Sequence, residues 1–149
     1  MYVRTLGNHE IMKSLHLAWE VFAQDMIPQC TNEEIEAFQY FIKYENLMPK
    51  VDAGEIKLFG VWEQNELCGM SILRENGHLQ LILVKKDKQR KGYGKMLVQK
   101  MGQYLLKNKG ITHMTTHALP SAVEIYEKLG MKAVAEEQSC EGRSFVPME

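Results

Sequence analysis

Apolar positions along the chain follow two rhythms. Residues 2–6 alternate with period two, as a short strand does. From Asn8, apolar side chains recur at Ile11, Leu15, Ala18, Trp19 and Phe22, the stripe of an amphipathic helix that Asn8 is placed to cap. Pro28 interrupts the pattern, and Thr31-Asn32-Glu33-Glu34 reads as a capping box opening a second helix with its stripe on Ile35, Phe38 and Ile42. The stretch holding Pro49 and Gly54 reads as a loop.

The period then changes. Residues 56–62 and 67–73 read as strands, and Asn76-Gly77 is a hairpin signal because both residue types tolerate positive φ. It leads into residues 79–84, a run that only Gln80 breaks and that suits a strand covered on both faces. Tyr93, Leu97, Met101, Tyr104 and Leu105 mark a third helix, ended near Gly110. Residues 111–116 are strand-like again. Ser121 with Glu124 reads as the cap of a fourth helix carrying Ala122, Ile125, Tyr126 and Leu129 on one face and stopping at Gly130. Residues 131–148 read as two strands around Glu141-Gly142. The order predicts a mixed α/β sheet with helices on its faces, in a single domain over residues 1–149.

Composition narrows the function classes. Lys plus Arg total 18 and Asp plus Glu total 19, so the formal net charge is −1 and no global basic excess drives binding to nucleic acid or an anionic membrane. The apolar runs fall far short of the roughly 20 residues of a membrane span, and the first residues lack a signal peptide's apolar core. Cys30, Cys68 and Cys140 are scattered and odd in number, giving neither a disulfide framework nor a CxxC metal knuckle. A soluble protein of the reducing cytoplasm is expected, with no metal.

Positive charge is instead local. Seven of the sixteen residues 85–100 are Lys or Arg, against one Asp. In their midst, Gln89-Arg90-Lys91-Gly92-Tyr93-Gly94-Lys95 links the apolar strand to the start of the third helix. Glycines there let the chain turn tightly and leave N–H groups uncovered at the positive end of a helix dipole, a setting for a phosphorylated ligand. A P-loop is excluded because Gly94-Lys95 is followed by Met96, and a dinucleotide fingerprint because the third glycine is missing. The plainer reading of this stretch alone is a turn beside a solvated lysine face.

Gln89-x-x-Gly92-x-Gly94, following the strand-ending Val84 and entering a helix, resembles the acyl-CoA loop of the GNAT superfamily of N-acetyltransferases. Residues 122–131, a helix with Tyr126 four positions before Gly130, resemble that superfamily's second signature. The element order matches over nearly the whole chain. Residues 78–84 and the ending Phe145-Val146-Pro147-Met148 further resemble a bacterial branch of small members. The resemblance implies a central twisted sheet of six to seven strands flanked by about four helices. It also implies acetyl-CoA as co-substrate, with backbone groups of Leu83 and Val84 pairing with the pantetheine arm and amides of residues 89–95 holding the pyrophosphate. A neutral amine would attack the thioester directly.

Tyr126 is then the candidate general acid for the departing thiolate, although position alone reads as a core tyrosine. His78, eleven residues before Gln89, is the candidate base or proton relay; a strand-edge histidine, or one that orients a water, reads equally well. His113 and His117 have no acidic or cysteine companions in sequence, and His117 lies where relatives often carry a cofactor-side Asn. Leu119 stands seven residues before Tyr126, where many members have Asn, a departure from the pattern. Cys68 and Cys140 read as buried strand residues. Trp19, Phe22, Met26, Phe38 and Phe41, with the strand around Trp62, are the candidate walls of an acceptor pocket. The C-terminal hairpin offers an edge for pairing with a second copy of the chain. The implied activity is acetyl transfer to a primary amine; the rival is a non-catalytic acyl-CoA-binding or sensor module, separable by turnover with a panel of amines.

Overall fold

The computed structural model describes residues 1–140 and 143–149. The chain forms β1 (Tyr2–Thr5), α1 (Asn8–Asp25), α2 (Asn32–Phe41), α3 (Tyr44–Asp52), β2 (Ile56–Glu63), β3 (Glu66–Arg74), β4 (His78–Val84), α4 (Tyr93–Lys109), β5 (Thr115–Ala118), α5 (Val123–Lys128), β6 (Gln138–Cys140) and β7 (Arg143–Met148). All seven strands join one sheet in the order β1-β2-β3-β4-β5-β7-β6, antiparallel except where β4 meets β5.

Period-two alternation sorts the sheet's side chains to two cores. Leu58, Met70 and Ile72 pack with Ile11, Leu15 and Ala18 of α1 and Leu47 of α3. Phe59, Leu73 and Leu79 pack with Leu97, Met101 and Leu105 of α4 and Tyr126 of α5. The strand count and both-face covering agree with the sequence reading.

Four local expectations are corrected. Gly7, not Asn8, is the N-cap of α1; its N–H is taken at 2.9 Å by Glu10 Oε1, and Asn8 is already helical. The stretch read as a loop contains α3, with Pro49 inside it. The lost proline N–H is offset by apolar packing, since Leu47 is fully buried and Met48 and Val51 join the α1-side core. The strand read at residues 111–116 runs over Thr115–Ala118, because the Ile111 N–H is taken by the Leu105 carbonyl at 3.2 Å in closing α4 at Gly110. Ser121 caps nothing: it lies in the 3₁₀ turn Pro120–Ala122 ahead of α5. The Thr31–Glu34 capping box forms as read, with bonds of 3.2 and 2.8 Å.

Candidate active site

β4 and β5 stay paired for two rungs only, His78 opposite Thr115 and Leu79 opposite Thr116. Beyond them the β5 side of β4 is an open sheet edge among the described residues. A bulge accompanies the divergence. Ile72 pairs with Leu81 and Leu73 with Leu79, so Gln80 is the extra residue. Across it the alternation reverses: Leu79 packs on the α4 side, Leu81 and Leu83 on the α1 side.

Two clefts, of about 570 and 550 Å³, lie along this edge. Met26, Ile82, Leu83 and Ile125 line both, so the clefts share a wall.

The loop cleft is bounded by Val84, Gln89, Arg90, Gly92, Tyr93, Gly94 and Lys95; Lys91, expected there, is not in its wall. Gly92 caps α4 with φ +88°, a conformation in which a side chain is strained. The first N–H accepted into the helix is that of Met96, by the Gly92 carbonyl at 3.0 Å. The amides of Gly92, Tyr93, Gly94 and Lys95 therefore have no partner among the described residues, at the positive end of a 17-residue helix. The Gln89 side chain is engaged structurally, donating to the Val84 carbonyl and to Asp25 Oδ2, each at 2.9 Å. This clamps the loop to β4 and α1.

The basic cluster divides in two. Lys85 pairs with Glu66 at 3.2 Å and Lys88 with Glu63 at 3.3 Å. Tyr93 also donates its hydroxyl to Glu63. Those contacts, Tyr93 first and Lys88 second, hold the Glu63 carboxyl below its usual range, and the phenol is pushed up to about 12. Tyr93 thus offers the cleft its backbone while its hydroxyl is occupied. Arg90, Lys91 and Lys95 make no ion pair among the described residues. Unpaired cations beside free amides are the electrostatics an anion requires.

The second cleft is aromatic. Phe22 and Phe38 stack at 3.9 Å, and with Phe41 and Met26 they supply one side; Trp19 and Trp62, expected with them, are not in its wall. Trp62 is buried in the α1-side core under the Arg4 guanidinium, 4.7 Å from its ring. Tyr126 enters the cleft from α5 while otherwise buried. Burial pushes its phenol above the ordinary value, against a smaller opposing pull from the neighbouring Thr116 hydroxyl.

His78 lines neither cleft. Its Nδ1 lies 2.8 Å from Thr115 Oγ1, and its ring meets His117 edge-on at 4.7 Å. His117 stacks on Phe145 at 4.5 Å, and both line the aromatic cleft, so His78 reaches it only through His117. Burial first, then the charges of His117 and Arg74, lower the His78 pKa. Leu119, in the family's Asn position, also lines the aromatic cleft.

Sequence reasoning missed Gln80, Glu34, Ser144 and Phe145 as wall residues. Only Gln80 carried a signal: one polar residue in a doubly covered apolar run. Cys68 is fully buried, and burial raises its thiol pKa; the Cys140 side chain lies outside the described residues. Among the described residues no group of three or more His, Cys, Asp or Glu is placed to hold a metal ion, and no helix is long and apolar enough to cross a membrane.

A family model described as an acetyltransferase (GNAT) domain matches residues 26–149. The chain belongs to the GNAT acetyltransferase family. Solved structures share the fold end to end. A GCN5-related N-acetyltransferase from Rhodopseudomonas palustris superposes with a TM-score of 0.80 at 17% identity, covering 98% of this chain and 92% of that one. The PaiA N-acetyltransferase of Thermoplasma acidophilum, solved with coenzyme A, gives 0.76 at 20% identity, covering 99% and 96%. The spermidine N-acetyltransferase of Vibrio cholerae, solved with CoA and spermine, gives 0.63 at 19%, covering 98% and 92%. No curated protein matches the chain by sequence.

Proposed function

We propose that this GNAT chain, acting as one unit, transfers an acetyl group from acetyl-CoA directly to a primary amine. One observation carries the reading: the open edge of β4 runs between the unpaired amides at the start of α4 and the cleft that receives Tyr126. Pyrophosphate in the loop of residues 89–95, on the free amides of residues 92–95, pantetheine along Leu83 and Val84, and thioester near Tyr126 form one continuous path, supported by the shared wall of the two clefts. Two structures of the same fold were solved with coenzyme A, which supports the co-substrate.

Acetyl-CoA supplies the activated acyl group. The amine nitrogen attacks the thioester carbon, the C–N bond forms and the C–S bond breaks. Tyr126, whose raised pKa keeps it protonated at neutral pH, donates to the departing sulfur and recovers a proton from solvent. The proton shed by the amine leaves through His117, with His78 behind it as relay. Homodimerisation through the C-terminal hairpin, whose β6 is one of the sheet's two edge strands, belongs to the same proposal.

The test is calorimetric titration of acetyl-CoA together with thiol release in the presence of primary amines. Gly92→Asp adds negative charge at the anion site where an added Cβ meets nothing within 4 Å, and Asp tolerates left-handed backbone comparatively well. Binding to wild type and a tenfold or larger loss in Gly92→Asp is the expected result. No binding to wild type overturns the reading; binding without turnover of any amine leaves the non-catalytic module.

A further inference from the structure

The wall of the aromatic cleft carries a polar group without a partner. Gln80 Oε1 is fully buried and makes no hydrogen bond among the described residues, although Gln80 lies on the bulge that opens β4 from β5. An acceptor oxygen shut away from water costs about 1–3 kcal/mol unless a donor reaches it. Gln80 itself lines the cleft, so a turn of its amide presents the oxygen to a donor that arrives with a ligand. Around it the surface is apolar: Phe22, Phe38 and Phe41 on the helix side, Phe145 and Leu119 on the other. The single carboxylate in this wall is Glu34, and its Oε1 already accepts the Thr31 N–H at 2.8 Å as part of the α2 cap.

We infer that the acceptor is a monoamine on an aromatic or branched apolar body, with the buried Gln80 oxygen accepting an N–H of the amine it presents. This inference rests on the acetyl-transfer reading and specifies its acceptor. Two features select the class. Phe22, Phe38 and Phe41 make that side of the cleft apolar and aromatic, which suits a ring, and desolvating such a body is favourable. A polyamine carries several cations spaced along a chain. Only one could pair with the carboxylate of this wall, Glu34, and the rest would exchange their hydration for the weaker attraction of aromatic faces. Gln80, being neutral, suits a nitrogen that must lose its proton before it attacks: a carboxylate in the same place would hold the ammonium form.

The position of Gln80 on a bulge gives it a role distinct from Tyr126. It orients the nucleophile and takes no proton, so it is a positioning residue. Replacing it with an apolar side chain of similar size should raise KM for the amine while acetyl-CoA binding persists. A general base would instead alter the pH profile of kcat.

The test compares 2-phenylethylamine and isoamylamine with spermidine as acceptors for the whole chain with saturating acetyl-CoA, read by thiol release. Expected is a kcat/KM at least tenfold higher for the two monoamines than for spermidine, and a KM for 2-phenylethylamine at least tenfold higher in Gln80→Leu with the acetyl-CoA KM within twofold. Gln80→Met provides a second apolar replacement if Gln80→Leu fails to fold, and the wild-type comparison stands without either. Preference for spermidine, or an unchanged amine KM in a folded Gln80 variant, overturns the inference and leaves acetyl transfer in place. Failure of wild type to bind acetyl-CoA overturns both.

Discussion

Thr116 donates its hydroxyl to the Leu79 carbonyl at 2.7 Å on the last rung that holds β4 to β5. Thr116 is buried, so this side-chain bond ties the two strands together where the backbone ladder ends. It fixes the apex of the opening along which the two clefts lie, and the same hydroxyl neighbours the Tyr126 phenol.

Thr116→Val keeps the shape and removes the donor. The loss should be about 1–3 kcal/mol, the usual cost of leaving a buried polar group unmet, read from urea denaturation with an unchanged m-value. Thr116→Ser should restore most of it. Equal stability of Thr116→Val and wild type would mean that the backbone alone sets the apex.

Tyr126→Phe separates packing from chemistry. The ring should still fill its place in the α4-side core, so stability and acetyl-CoA affinity should stay near wild type. Turnover should fall by roughly 10²–10⁴-fold, the range for a lost general acid. Because burial raises the phenol above its ordinary value, wild type should show no basic limb from this group below about pH 10. Undiminished turnover would leave Tyr126 as a packing residue.

What sequence could and could not reveal follows from how local each signal is. The Thr31–Glu34 box and the turn at Gly77 depend on neighbours a few residues away, and both form as read. Gly92 is legible as a tight turn, whereas its left-handed φ is a finding of the structure, since the residue before a helix is ordinarily extended. α3 is hidden because Pro49 argues locally for a break, whereas Leu47 is buried in a core that α1 and β2 also supply, which no short window contains. The wall of the aromatic cleft is assembled from α1, α2, β4, β5, α5 and β7, so Phe145 and Glu34 come to one cleft only in three dimensions. His78 shows the limit most directly. Its place on β4 was legible, but whether it faces the cleft depends on β5, which sets His117 in the wall and His78 behind it.

The Arg4–Glu10 pair should appear in acid titration. Arg4 donates two bonds to the carboxylate, at 2.7 and 2.5 Å, and with the Gly7 N–H they lower the Glu10 pKa to about 2 from 4.5. A depressed carboxyl contributes stability that is complete above the unfolded pKa and disappears as pH falls through the folded one. The loss should therefore develop between about pH 4.5 and 2. Arg4 is partly exposed, so Arg4→Met should cost no more than about 1 kcal/mol at pH 7. It should also shift acid unfolding to higher pH. An unchanged acid transition would show that the pair does not link β1 to α1 energetically.

His78 makes the opposite kind of group titrate nearer neutrality. Its folded pKa lies below the ordinary 6.5 because the half-buried ring disfavours charge, with His117 and Arg74 adding repulsion. Protonation therefore favours the unfolded chain. The stabilising difference is complete above about pH 6.5 and is lost as pH falls through the lower folded value. His78→Gln retains a group able to bond Thr115 but cannot titrate, so the decline in urea midpoint between pH 7.5 and 5.5 should become shallower. If His78 also relays the amine proton through His117, the acidic limb of kcat/KM should move in this variant while acetyl-CoA affinity stays within twofold. A flattened stability profile with an unmoved kinetic limb would assign His78 to holding β4 against β5 and leave proton removal to His117 or solvent. A stability profile parallel to wild type would instead contradict the depressed imidazole itself.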